Sequence, residues 1–205
     1  MKRRTLVIIV AVALLGLVAA LAASFLHDGL SSRATPNRFE IMVARSARHL
    51  AIPSSARLAQ NPLLASAEDL RDARLHFADH CAICHANDGG GETMIGKGLY
   101  PKPPDLRLLE TQNLTDGELF WIIENGVRFT GMPAFSNGGE HGGMQDSWKL
   151  VHFIRHLPHL TSAERMVMER HNPKGPADRE EERQENDFLN GATPERKPEA
   201  HEHRE

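Results

Sequence analysis

The chain has two cysteines in 205 residues, and they stand three positions apart as Cys81 and Cys84, with His85 directly after them. Two thiols this close cannot close a loop worth cross-linking, and with no further cysteine a disulfide framework is excluded. The spacing leaves a redox dithiol, half of a zinc site, or attachment of a haem. The adjoining histidine separates these uses. In Cys-X-X-Cys-His the thiols add across the porphyrin vinyl groups, and the histidine becomes an axial ligand of the iron. Two intervening residues let one helical turn present both sulfurs, and the same turn carries His85 beneath the metal. A chain with this motif has to fold around a large flat group. No internal repeat is visible, so the expectation is one haem c, held covalently.

A low-spin electron carrier needs a second axial ligand, and the soft thioether of methionine favours ferrous iron and raises the potential. Met94 follows His85 by nine residues, Met144 sits in a glycine-rich stretch, and Met166 and Met168 belong to a last apolar segment. Met132 is the expected ligand. It lies between Gly131 and Pro133 in a loop joining two apolar segments, so its backbone is constrained and its side chain can approach from the side opposite His85. His141 is the rival, and would give bis-histidine ligation and a lower potential.

Ahead of this region, Lys2, Arg3 and Arg4 precede an apolar run over residues 5–26, roughly the 20 residues a helix needs to cross a bilayer. Its length favours an uncleaved anchor over a removed signal peptide. The positive-inside rule leaves the N-terminus cytoplasmic. Everything after His27 is expected on the periplasmic side of a bacterial inner membrane. The chain then divides into residues 1–27 as basic flank and transmembrane anchor, 28–65 as linker with one amphipathic helix, 66–170 as the compact domain, and 171–205 as a polar tail expected to be disordered.

In the linker, Phe39, Met42, Val43, Ala47 and Leu50 recur at helical spacing with Arg38, Arg45 and Arg48 among them, and Pro53 ends the pattern. Packing of this stripe on the domain is expected ahead of contact with lipid headgroups. The compact domain reads as helices with no strand alternation, an all-α pattern. Ser66 caps a helix leading into the cysteines, Thr115 with Glu118 forms a capping box, and Gly126 ends that helix. Trp148, Val151, Phe153, Ile154 and Leu157 mark another helix stopped by Pro158, and Thr161 with Glu164 caps a short one. The loops over residues 86–106 and 129–146 are too long for mere connections and should wrap something large. With a formal net charge of −3, nothing suggests nucleic-acid binding.

From residue 66 to 158 the chain resembles a class I cytochrome c. The resemblance rests on CAICH at 81–85, GLYPKPPDL at 98–106, DGELFWIIENGVRFTGMPAF at 116–135 and WKLVHFIRHLP at 148–158, in that order. It implies a monohaem, all-helical domain whose first and last helices cross, with the haem in a crevice and Met132 as distal ligand. It also implies that a proline carbonyl, of Pro103 or Pro104, orients His85 by accepting its ring proton. Ala86 departs from the pattern, since such cytochromes often have glycine there. The implied function is single-electron transfer between redox proteins rather than catalysis, with the domain tethered to the membrane. Two alternatives are a haem-based gas sensor with a weakly ligated iron, and metal capture by His201 and His203 in the tail.

Overall fold

The structure, a computed structural model, describes residues 2–28, 31–136 and 141–190. The histidines expected to make the tail a metal trap, His201 and His203, lie outside them. Among the described residues there is no strand, and the helices run in order as α1 (Lys2–Asp28), α2 (Arg38–Ala51), α3 (Ser54–Arg57), α4 (Ala67–His76), α5 (Ala82–His85), α6 (Met94–Gly98), α7 (Leu109–Gln112), α8 (Asp116–Asn125), α9 (His141–His156), α10 (Ser162–Glu169) and α11 (Pro176–Leu189). A π-turn at Phe77–Cys81 joins α4 to α5, and a 3-10 turn at Leu157–His159 follows α9.

The helix starts follow from local chemistry. Ser66 Oγ accepts from the Asp69 amide at 3.0 Å and opens α4. Thr115 and Glu118 exchange hydrogen bonds with each other's backbone, as do Thr161 and Glu164, so α8 and α10 both begin on capping boxes that satisfy amides the helix leaves unpaired. Gly126 ends α8 at φ +65°.

Two crossings make the core. Phe77 from the end of α4 packs on Phe153 of α9 with ring centroids 5.1 Å apart, and Ala73, Leu150, Val151 and Ile154 fill the space around them. Leu119 and Ile123 of α8 join the same cluster, and Phe120 stacks flat on Trp148 at 4.1 Å. Polar clamps hold the periphery. The Arg155 guanidinium donates to Asp116 and to the carbonyls of Gln112 and Leu114, fastening the α7–α8 corner to α9. Glu164 accepts from Arg74 and pairs with His156, each at 3.0 Å, which ties α10 to α4 and α9. Met168 of α10 is fully buried beneath this clamp.

Three features differ from the sequence expectation. Helix α9 begins at His141, before its first apolar anchor Trp148, because its start is built of glycines and polar residues that carry no periodic signal. Within the polar tail α11 forms on local terms, with Pro176 at its first position, an Asp178 carboxylate on the Gly175 amide, and Glu180 paired with Arg183 and Gln184; its described side chains are exposed. Helix α2 turns its apolar stripe away from the domain, and buries none of it.

Candidate functional site

The cysteine pair is delivered by an interruption in the helix that leads to it. The α4 ladder widens into the π-turn at Phe77–Cys81, with the Ala82 amide donating to the Phe77 carbonyl, and α5 resumes at once. Such single-turn widenings often occur at functional sites. Cys81 and Cys84 fall one turn apart as free, half-buried thiols, with Ala82 buried between them and Ile83 facing out. Burial pushes the Cys81 thiol up to about 12, and burial raises Cys84 too. Neither environment favours the thiolate that a redox dithiol would use as its nucleophile.

His85 ends α5 with its ring 6.5 Å from that of Phe77. Its Nδ1 is buried and makes no well-formed hydrogen bond, while the Pro104 carbonyl acts on the ring and raises its proton affinity against the larger lowering from burial. The position of that carbonyl has a visible cause. The Gly91 amide donates to the His85 carbonyl at 2.8 Å, and the Leu106 amide donates to the Gly89 carbonyl at 2.9 Å, so residues 86–91 and 103–106 run against each other. Gly91, at φ +77°, comes so close that a Cβ there would lie 2.9 Å from the Pro103 carbonyl oxygen. Pro103 therefore turns its carbonyl to Gly91, and the Pro104 carbonyl is the one that raises the proton affinity of the His85 ring. Helix α6 closes the same side, with Thr93 Oγ donating to the Ile83 carbonyl at 2.8 Å and accepting from the Gly96 amide at 2.8 Å.

Met132 sits on the far side of the molecule's chain order but in a pinned loop. The Val127 amide donates to the Met132 carbonyl at 3.1 Å, the Met132 amide donates to Thr130 Oγ at 3.1 Å, and the Phe135 amide donates to the Ile123 carbonyl at 3.1 Å. These bonds fold the loop back over the end of α8, where only a glycine fits at 126: a Cβ would lie 2.6 Å from the Pro133 carbonyl carbon. Gly131 meets the Leu99 side chain closely enough that a Cβ would lie 2.7 Å from it. The Met132 loop is thus in contact with the segment that follows α6. Met132 is half-buried, Met94, Met144 and Met166 are exposed, and Met168 belongs to the core. His141 opens α9, and its side chain lies outside the described residues.

Two positions in the site have a backbone that their residue types do not announce. Ala86, directly after His85, has φ +60° and ψ 159°, and Phe129, in the Met132 loop, has φ +62° with its ring almost wholly exposed. Neither residue type announces a left-handed backbone.

The donor set fits a covalently attached haem. Two thiols lie one turn apart, an imidazole follows with a buried nitrogen lacking a well-formed partner, and a backbone acceptor stands beside that ring. Among the described residues, no three His, Cys, Asp or Glu side chains gather as a cage for a free metal ion, so the zinc reading of the cysteine pair finds no further ligands there. Residues 68–154 match the family model described as cytochrome c oxidase, cbb3-type, subunit III. No curated protein matches the chain.

Proposed function

We propose that residues 68–154, which match the cbb3-type subunit III family model, form a class I monohaem c-type cytochrome domain, and that this chain is a membrane-tethered electron carrier in which Cys81 and Cys84 would attach the haem and His85 and Met132 would ligate its iron. The observation that carries the reading is the CAICH turn itself, with both thiols free and the His85 ring set against Phe77 and the Pro104 carbonyl.

When bound, haem c supplies a one-electron couple without making or breaking bonds in the partner. The protein's part is to hold and to tune. Cys81 and Cys84 would hold the group by two thioether links on a helical turn backed by the Phe77–Phe153 core, which would restrict its motion and limit rearrangement on electron transfer. The Pro104 carbonyl, which raises the proton affinity of the His85 ring, would favour the tautomer protonated on the buried Nδ1 if it accepts from that nitrogen, leaving the other nitrogen to ligate. Met132 offers a soft sulfur that raises the potential relative to histidine. Phe77, Ala82, Leu106 and Leu157 are buried and would keep water from the His85 side of the group and lower the local dielectric.

Helix α1 is long and apolar enough to cross a membrane, and Lys2, Arg3 and Arg4 precede its apolar run. In this reading it enters a bacterial inner membrane with the haem domain on the periplasmic side, and the tether raises the domain's concentration near membrane redox partners. The family description names an oxidase subunit, so delivery of electrons to a membrane oxidase is the favoured acceptor step. In this reading the domain serves as a carrier and not as a catalyst, because His85 and Met132 would together ligate the iron and leave it no open position.

The test is the optical spectrum of the purified holoprotein. Ferric iron bound to methionine sulfur has a weak band at the red end of the visible spectrum; the expected result is its presence in the native protein and its loss, with covalent haem retained, in Met132→Ala. A spectrum without that band, together with rapid carbon monoxide binding to the reduced protein, would overturn Met132 and move the ligand-sensor reading ahead.

A further inference from the structure

Helix α2 carries an apolar stripe that no described part of the protein covers. Phe39 is 69% exposed, Met42 56%, Val43 47% and Leu50 82%, and their spacing puts all of them on one side of the helix. The opposite side is fastened to the domain. Glu40 accepts the Tyr100 hydroxyl at 2.8 Å, His49 Nδ1 lies 3.6 Å from a Glu118 oxygen, Ile41 and Arg48 are half-buried, and Ile52 just beyond the helix is 1% exposed. The stripe therefore faces outward because of the contacts that hold the helix.

What lies opposite is indicated by the chain itself. Nine residues separate the end of α1 at Asp28 from Arg38, and even fully extended they span only about 30 Å. If α1 is the anchor, as proposed above, α2 starts beside the bilayer surface. At 100° per residue Arg38 and Arg45 flank one edge of the stripe, and both are exposed, as is Arg33 in the linker. An apolar stripe edged with arginine, next to a membrane entry point, has the makeup of a helix that rests in the headgroup layer.

We propose that α2 lies in the interface of the membrane that α1 enters, with Phe39, Met42, Val43 and Leu50 at the acyl boundary and Arg38 and Arg45 on anionic headgroups. The haem domain then has two membrane contacts and a defined orientation instead of swinging on a flexible linker. The inference rests on the anchor reading of α1, and its test separates the two.

The full holoprotein is reconstituted in vesicles of phosphatidylcholine and phosphatidylglycerol, with one nitroxide label in each of Met42→Cys, Val43→Cys, Leu50→Cys, Ala44→Cys, Ala51→Cys and, in α1, Leu15→Cys. Collision with oxygen reports lipid, and collision with a water-soluble nickel chelate reports water. The expected result is an oxygen-to-nickel ratio severalfold higher at 42, 43 and 50 than at 44 and 51, falling when phosphatidylglycerol is omitted. Equal ratios at all five positions would show the stripe in water and overturn the proposal. Protection of 42, 43 and 50 from both reagents, with spin–spin broadening, would show a second copy on the stripe and overturn it as well; without broadening, the domain itself covers the stripe, with the same consequence. A water-exposed label at 15 would instead remove the anchor, so the two failures are read at different positions.

Discussion

Ala86 shows what a single side chain costs at this site. Its φ of +60° with ψ 159° lies in a region that is nearly glycine-only, because Cβ crowds the backbone there. The turn cannot relax, since the Ala86 amide is bonded to the Ala82 carbonyl at 2.8 Å and the Gly91 amide to the His85 carbonyl at 2.8 Å. Strain of this kind costs of order 1–3 kcal/mol, while glycine loses a further ~0.5–1 kcal/mol of chain entropy on folding. Strain is the larger effect. Ala86→Gly is therefore expected to stabilise the holoprotein by about 1 kcal/mol, read as a higher Tm or denaturant midpoint; an unchanged or lower value would mean that the turn is not strained. From the sequence, Ala86 stood out only as a departure from a family resemblance. The backbone supplies the reason that glycine is common there. Cys81, Cys84, His85 and Met132 could be named as candidates from the sequence because their residue types and spacing carry the proposed chemistry directly. The choice between Pro103 and Pro104 was not, because adjacent prolines look alike until the Gly91 contact takes one carbonyl away.

Among the elements, helix ends were the most legible part of the fold, since a cap is made by residues within one turn of each other. Ser66, Thr115 with Glu118, and Thr161 with Glu164 all behave as their spacing indicates. Packing between elements leaves fainter marks. Gly117 reads as an ordinary helical position, where alanine would add up to about 1 kcal/mol of helix stability. Yet a Cβ on Gly117 would lie 1.8 Å from the Ala56 carbonyl oxygen, a backbone atom of α3 that cannot swing aside. Gly117→Ala is expected to separate α3 from α8 and to destabilise by about 1–3 kcal/mol, the range for overpacking, measured by denaturant unfolding. A gain in stability would show that α3 moves freely. Glu164 gives a pH-dependent case. Burial pushes its pKa up, but hydrogen bonds from Thr161 and His156 and the charge of His156 outweigh that and hold it below the usual glutamate value. A depressed folded-state pKa contributes stability that is complete above the ordinary value of 4.5 and is lost as pH falls through the folded value. Glu164→Gln keeps the capping bond to Thr161 but removes the charge that faces Arg74 and His156. It should therefore lose about 1 kcal/mol at neutral pH, and its acid unfolding below pH 4.5 should be shallower than that of the native protein. Parallel acid limbs in the two proteins would place the acid sensitivity elsewhere.

For the molecule as a whole, the all-helical class was legible in the helical periodicity and the lack of strand alternation, whereas the direction in which α2 faces was not. An amphipathic stripe records that a surface is to be covered and leaves open by what. The distinction has a kinetic consequence. A domain on a simple flexible tether has an effective concentration at membrane partners that falls as roughly the −3/2 power of linker length, so doubling the nine residues between α1 and α2 with Gly and Ser would slow electron delivery about threefold. A domain that also rests on the bilayer through α2 is confined by that contact, and the same insertion then changes the rate much less. Electron transfer from this holoprotein to a membrane acceptor in vesicles is accordingly expected to be nearly insensitive to the insertion. Sensitivity should appear once Met42→Glu and Val43→Glu remove the apolar stripe. A threefold loss from the insertion alone would show that the tether is the domain's sole hold on the membrane.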